Sequence, residues 1–338
     1  MNSKKDIRSL GELKIIKKID EKILEKTNKR LIHDDSFFFT IQKENFQASL
    51  VLNSDMLVST TDTPKEMSFY QIGRKSVLMN ISDLMVKGVE PRAIIVSMGL
   101  PEDMGINIFN QLIDGIIDYC KKWKLEYIGG DINKTKELII SPTVFGFKKR
   151  SDTIFRKGLQ KGDVLAINNK FGLTGVGFDI LLIREGALDS FPRYKRSILS
   201  VLEPADPGNE GFILANNGLA TSSIDSSDGL IKSLRDLMFS NPHLGFEIMD
   251  NEDLIDEEAL IYSEEFNVPL EQLVFEGGEE FIQIFTIDTN NFEKAQRKVK
   301  ERGGQLFKIG RVISEEKIYF RKSNIKLELK SHGFEHFI

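Results

Sequence analysis

Cysteine is almost absent from this chain: Cys120 is the single one in 338 residues. That excludes an internal disulfide and any zinc site made of several thiolates. Histidine is scarce too, with only His33, His243, His332 and His336, and neither an HExxH motif nor a catalytic-triad spacing occurs. Metal chemistry in such a chain falls to oxygen ligands, and so to Mg²⁺ or a similar hard cation. No stretch approaches the roughly 18 consecutive apolar residues of a membrane span. The N-terminal MNSKKDIRSLGELKIIKKI has charges where a signal peptide needs an apolar core, so the expected location is the cytoplasm. Excess positive charge is missing as well. A formal net charge of -5 gives no basic field for a polyanion, and nucleic acid is not an expected partner.

What is present is a globular composition, 41% hydrophobic and 29% charged. The length suits about two domains. The basic, polar run KKRSDTIFRKGLQK (148–161) is the natural hinge, placing an N-terminal domain at 1–149 and a C-terminal domain at 150–338. Short apolar strand-like runs alternate with helical patterns in both halves without the even spacing of a barrel. The predicted class is α/β or α+β in two domains.

The segment IGRKSVLMNISDLMVKG (72–88) organises the chemistry. As a helix it sets Val77, Ile81, Leu84 and Met85 on one face and Ser76, Asn80, Asp83 and Lys87 on another, so that one face packs and the other meets a ligand. Asp83 has company: Asp34 with Asp35, Asp55, Asp131, and Asp225 with Asp228 each sit at the edge of an apolar run, where strands and helices hand over to loops. Carboxylates gathered at element ends bind hard cations. Gly129-Gly130-Asp131 directly follows the strand expected at 125–128, with backbone open to a ligand. The glycines at 172–177 match neither the dinucleotide fingerprint nor a P-loop. Carboxylates without a histidine base or a nucleophilic cysteine suit phosphoryl transfer, where positioning and charge neutralisation do most of the work.

Eight motifs in order carry a resemblance across almost the whole chain: Asp34-Asp35, Ser54 to Leu57 (SDML), Asn80 to Gly88, Gly129 to Asp131, Arg156 to Asp163, Ile224 to Leu230 (IDSSDGL), Gly277 to Glu279 and the terminal GFEHF from Gly333. Together the set resembles the thiamine-monophosphate kinases, within the superfamily of aminoimidazole ribonucleotide synthetase and selenophosphate synthetase. The resemblance implies a two-domain fold whose N-terminal strands pair across a homodimer, and an ATP- and Mg²⁺-dependent kinase acting on thiamine monophosphate. It further implies Mg²⁺ ligands at Asp35, Ser54, Asp55, Asp83, Asp131, Asp225 and Asp228, ATP contacts at Gly130, Asp131, Arg156 and Ser227, and acceptor contacts at Asp62, Glu279 and Phe334. Asp62 stands where the family has a histidine, Ile132 where threonine is usual, and Glu280 where aspartate is usual. These departures keep open an ATP-using relative with another acceptor and a non-catalytic nucleotide-binding paralogue.

Overall fold

The computed structural model describes residues 46–331, 36–43, position 333 and, nearer the N-terminus, positions 14, 17, 20, 21, 24, 25, 28, 30 and 34. Asp35, Phe334 and His33 lie outside the described residues.

One sheet is drawn from residues 37–148: β1 (Phe37–Lys43), β2 (Phe46–Ser54), β3 (Leu57–Val58), β4 (Pro91–Pro101), β5 (Glu126–Thr135) and β6 (Ile139–Lys148), ordered β1-β2-β6-β4-β5 with β3 beside β6. Its pairs are antiparallel except β4 with β5. Helices α1 (Phe69–Val86) and α2 (Ile106–Lys122) lie on one face. Ser68 starts α1 with a reciprocal capping box: its hydroxyl accepts from the Gln71 N–H, and the Gln71 side chain accepts from the Ser68 N–H. The two helices touch backbone to backbone. A Cβ on Gly73 would stand 2.2 Å from the Leu112 carbonyl oxygen, and one on Gly115 would stand 2.0 Å from that of Tyr70.

The other sheet comes from residues 164–328. Its chain runs β7 (Val164–Ile167), α3 (Leu173–Phe178), α4 (Lys195–Leu202), α5 (Glu210–Asn216), β8 (Ser222–Ser226), α6 (Leu230–Ser240), β9 (Gly245–Met249), α7 (Glu257–Phe266), α8 (Leu270–Phe275), β10 (Ile282–Ile287), α9 (Phe292–Lys300), β11 (Phe307–Ile313), β12 (Ile318–Lys322) and β13 (Ile325–Glu328). The strand order is β13-β12-β9-β11-β7-β10-β8. Every residue of β7, β8 and β10 is buried, as in strands covered on both faces. Among the described residues no helix is long and apolar enough to cross a membrane.

Three local features go beyond the sequence reading or change it. The polar stripe of α1 is an interior one: 14 of the 18 helix residues are buried, and Ser76, Asn80 and, just past its end, Lys87 are fully enclosed. The stripe meets the second half of the chain, where the Lys87 ammonium donates to the Ser223 carbonyl at 2.7 Å and the Ser82 hydroxyl to Asp225 at 2.6 Å. Second, Gly129-Gly130 does not end the strand but lies inside β5, at a register shift against β4. A Cβ on Gly130 would fall 1.8 Å from the Val96 carbonyl oxygen, so glycine is what allows the strands to close there. Third, the helix entered at Gly172 passes after Phe178 into a π-helical segment over Asp179–Ile183.

Candidate active site

Between α1 and the second sheet lies a cleft of about 1510 Å³. Asp55, Asp62, Asp83, Arg156, Asp225, Ser227, Asp228 and Glu279 all line it, along with Asp34 and Gly333, the neighbours of Asp35 and Phe334. Ser54, Gly130 and Asp131 do not. The Ser54 hydroxyl donates to the Pro142 carbonyl at 3.0 Å and accepts from Thr143 at 2.9 Å. Asp131 is exposed on β5 beside Ser97, on the sheet face turned away from the helices.

The carboxylates on the α1 and β8 wall are held by side chains from separate elements. Asn53, at the end of β2, donates to Asp83 at 2.8 Å, and Ser82 reaches across to Asp225. Asn80, one turn before Asp83, accepts from the Asp55 N–H at 2.9 Å and so fixes the loop after β2. Asp34 is placed from two sides, by the buried Lys87 ammonium at 3.2 Å and by the Arg156 N–H at 2.8 Å. Asp228 precedes Gly229, the N-cap of α6. Arg156 stands 3.9 Å from Asp236, which also pairs with Lys232 at 3.0 Å.

A second wall, joined to the first where the Glu279 N–H donates to the Ser227 carbonyl, is formed by the helical turn Ser59–Asp62 and the loop carrying Gly277, Gly278 and Glu279. Asp62 closes its own turn, one carboxylate oxygen accepting from the Val58 N–H at 2.7 Å and the other from the Thr61 hydroxyl at 2.7 Å. Its main-chain oxygen accepts from Lys75 at 2.6 Å, and Lys75 also pairs with Glu279 at 2.5 Å. Sequence reasoning missed Lys75, although it lies on the segment singled out above, two turns before Asp83. Burial pushes the Glu279 carboxyl above its ordinary range against the pull of Lys75. Glu280 is pushed up to about 8 by burial, which outweighs the N–H groups of Gly172 and Thr174 that it accepts.

The donor set fits a hard cation bound together with phosphates. Asp55, Asp83, Asp225 and Asp228 share one cleft with no described histidine or cysteine on its walls. Among the described residues no three carboxylates stand close enough to make a cage by themselves. Mg²⁺ does not require one, since it usually takes one or two carboxylates and completes its shell with water and substrate phosphates.

Comparison with known proteins agrees with this geometry. The family described as AIR synthase related protein, N-terminal domain, matches residues 33–147. The chain is 30% identical to a thiamine-monophosphate kinase of Methanocaldococcus jannaschii over 90% of its own length and 94% of the relative's. It is 28% identical to that of Nitrosopumilus maritimus over 97% and 99%. The solved structure described as AaThiL complexed with AMPPCP and TMP superposes with a TM-score of 0.81 at 23% identity, covering 98% of each chain. By these matches and by the motifs that line its cleft, the chain belongs to the thiamine-monophosphate kinase family.

Proposed function

We infer that this chain is a cytoplasmic kinase that uses ATP and Mg²⁺ to phosphorylate thiamine monophosphate, giving thiamine diphosphate and ADP. The observation that carries the reading is the convergence of Asp55, Asp83, Asp225 and Asp228, drawn from both halves of the chain, on one cleft in a member of this family. An oxygen of the acceptor phosphate attacks the γ-phosphorus and ADP leaves. In this reading transfer is direct, in one step, with positioning and charge neutralisation doing most of the work. Asp55, Asp83, Asp225 and Asp228 would hold Mg²⁺, which would supply charge neutralisation to the phosphates. The protein's own part is to fix these carboxylates through Asn53, Asn80 and Ser82 and to bring Arg156 and Ser227 to the nucleotide. The test is ATP consumption by the purified protein with and without thiamine monophosphate, read together with thiamine diphosphate formation. Equal ATP consumption in both, with no product, would sink the reading and leave the alternative acceptor or the non-catalytic paralogue.

A homodimer is the assembly we propose, supported by a face of the first sheet that the described residues leave uncovered. Ile95, Ile128 and Phe147 are each between 40% and 48% exposed there, and among the described residues β5 is an open edge. A row of large apolar side chains beside an unpaired strand is the kind of surface that a second copy covers. Ile128→Glu is expected to convert the dimer to a monomer in sedimentation at micromolar concentration. An unchanged sedimentation coefficient for this variant, or a wild-type monomer, would contradict the assembly.

A further inference from the structure

Lys75 is the buried cation of the acceptor wall. Its side chain is 1% exposed, yet it lines the cleft and links three separate segments: α1, the turn ending at Asp62, and the Gly-Gly-Glu loop some two hundred residues later. Both of its partners belong to positions that the family resemblance assigns to the acceptor. The Asp62 carboxylate is engaged in its own turn, so only its carbonyl faces the ammonium. Glu279 is held in the left-handed region at φ 61°, and its second carboxylate oxygen is buried without a hydrogen-bond partner. The ammonium has three protons to donate and its described bonds use two.

Thiamine monophosphate is itself a zwitterion, with a quaternary thiazolium nitrogen and an anionic phosphate. We propose that the Lys75–Glu279 ion pair is a stand-in for this substrate and exchanges partners with it: Lys75 passes to the acceptor phosphate and Glu279 to the thiazolium ring. The exchange conserves charge, because a neutral ion pair takes up a ligand of opposite polarity and every buried charge keeps a counter-charge. It also explains why an aspartate at position 62 is compatible with a phosphate-binding wall. The cation that the family's histidine would offer is supplied from the helix, and the Asp62 carboxylate is turned into its own backbone. This inference rests on the kinase reading above and adds a phosphate-binding residue and a ring-recognising one to it.

The experiment uses two variants and two ligands on the full chain, with the Michaelis constant for ATP as the control. The ligands are thiamine monophosphate as substrate and the phosphate ester of 4-methyl-5-hydroxyethylthiazole, which lacks the quaternary nitrogen, as a competitive inhibitor. Lys75→Met is expected to weaken both by about tenfold to a hundredfold, the worth of one hydrogen bond to a charged group, with the constant for ATP unchanged. Glu279→Gln is expected to weaken thiamine monophosphate by about tenfold and not to weaken the thiazole phosphate, whose ring is uncharged. In the double variant no unpaired buried charge remains, so it folds at least as well as Lys75→Met and still binds both ligands weakly. Recovery of wild-type affinity in the double variant would show that Lys75 only neutralises Glu279, and would overturn the proposal. Equal weakening of both ligands by Glu279→Gln would overturn it too. Absence of thiamine monophosphate turnover in the wild-type protein would remove the kinase reading itself, and is seen before any variant is made.

Discussion

The two walls of the cleft use the same residue type in opposite ways. On the α1 and β8 wall, Asp83 accepts from the Asn53 amide and Asp225 from the Ser82 hydroxyl, neutral donors that orient a carboxylate. On the second wall the carboxylates serve the protein: Asp62 closes a turn and Glu279 pairs with Lys75, while Glu280, just behind it, caps the loop at Gly172. A count of acidic residues would call the walls alike. Their described partners differ: neutral amide and hydroxyl donors orient Asp83 and Asp225, while a turn, a lysine and a loop engage Asp62, Glu279 and Glu280.

Removing a charge from each wall sharpens the difference. Asp83→Asn keeps the shape of the residue and removes its charge, and is expected to lower kcat by about a thousandfold, the scale of one lost transition-state contact in a preorganised site. The melting temperature should stay within a few degrees, because the loss falls on the ligand side. A variant that melts early with unchanged specific activity would make Asp83 a structural pair. Asp62 should behave otherwise. Asp62→Asn retains an acceptor for the Val58 N–H and is expected to keep near wild-type kinetics, whereas Asp62→Ala loses the turn closure, at about 1 kcal/mol by analogy with a helix cap. With the turn loosened, the carbonyl that holds Lys75 moves, and the Michaelis constant for thiamine monophosphate should rise a few-fold. If Asp62→Asn falls as far as Asp83→Asn and alters the Mg²⁺ requirement, Asp62 is a metal ligand and the walls are not different in kind.

Much of this was legible in the chain because it is local. The strands around Ala48 to Asn53, Ala93 to Met98 and Leu138 to Phe147 announce themselves as apolar runs, and the cleft motifs survive as short patterns at element ends. What was hidden depends on distant partners. The polar stripe of α1 reads as a face that meets a ligand, and only the packing of β8 against it shows that much of the stripe is an interior contact. Lys75 looks like any helix lysine until the loop at Glu279 arrives. Gly129-Gly130 reads as a turn by composition, and the close approach of Val96 that keeps it inside a strand lies across a sheet pair.

Glu280 offers the mildest test, through pH. Its carboxyl is raised from 4.5 to about 8 by burial, and its outer oxygen is buried without a hydrogen-bond partner. A carboxyl with a raised folded value holds its proton more tightly in the native state than in the unfolded one. Its contribution to stability is therefore complete below about pH 4.5 and is lost as the pH climbs to about 8. Glu280→Gln retains the oxygen that accepts from Gly172 and Thr174 but cannot ionise. Its melting temperature should match that of the wild type near pH 5 and exceed it by a few degrees near pH 8, with the gap opening between those values. Melting curves of both proteins across that range provide the check. A gap that does not change with pH would mean that Glu280 ionises at an ordinary value, its anion stabilised by the loop at Gly172 in the way that the opposite wall stabilises Asp83.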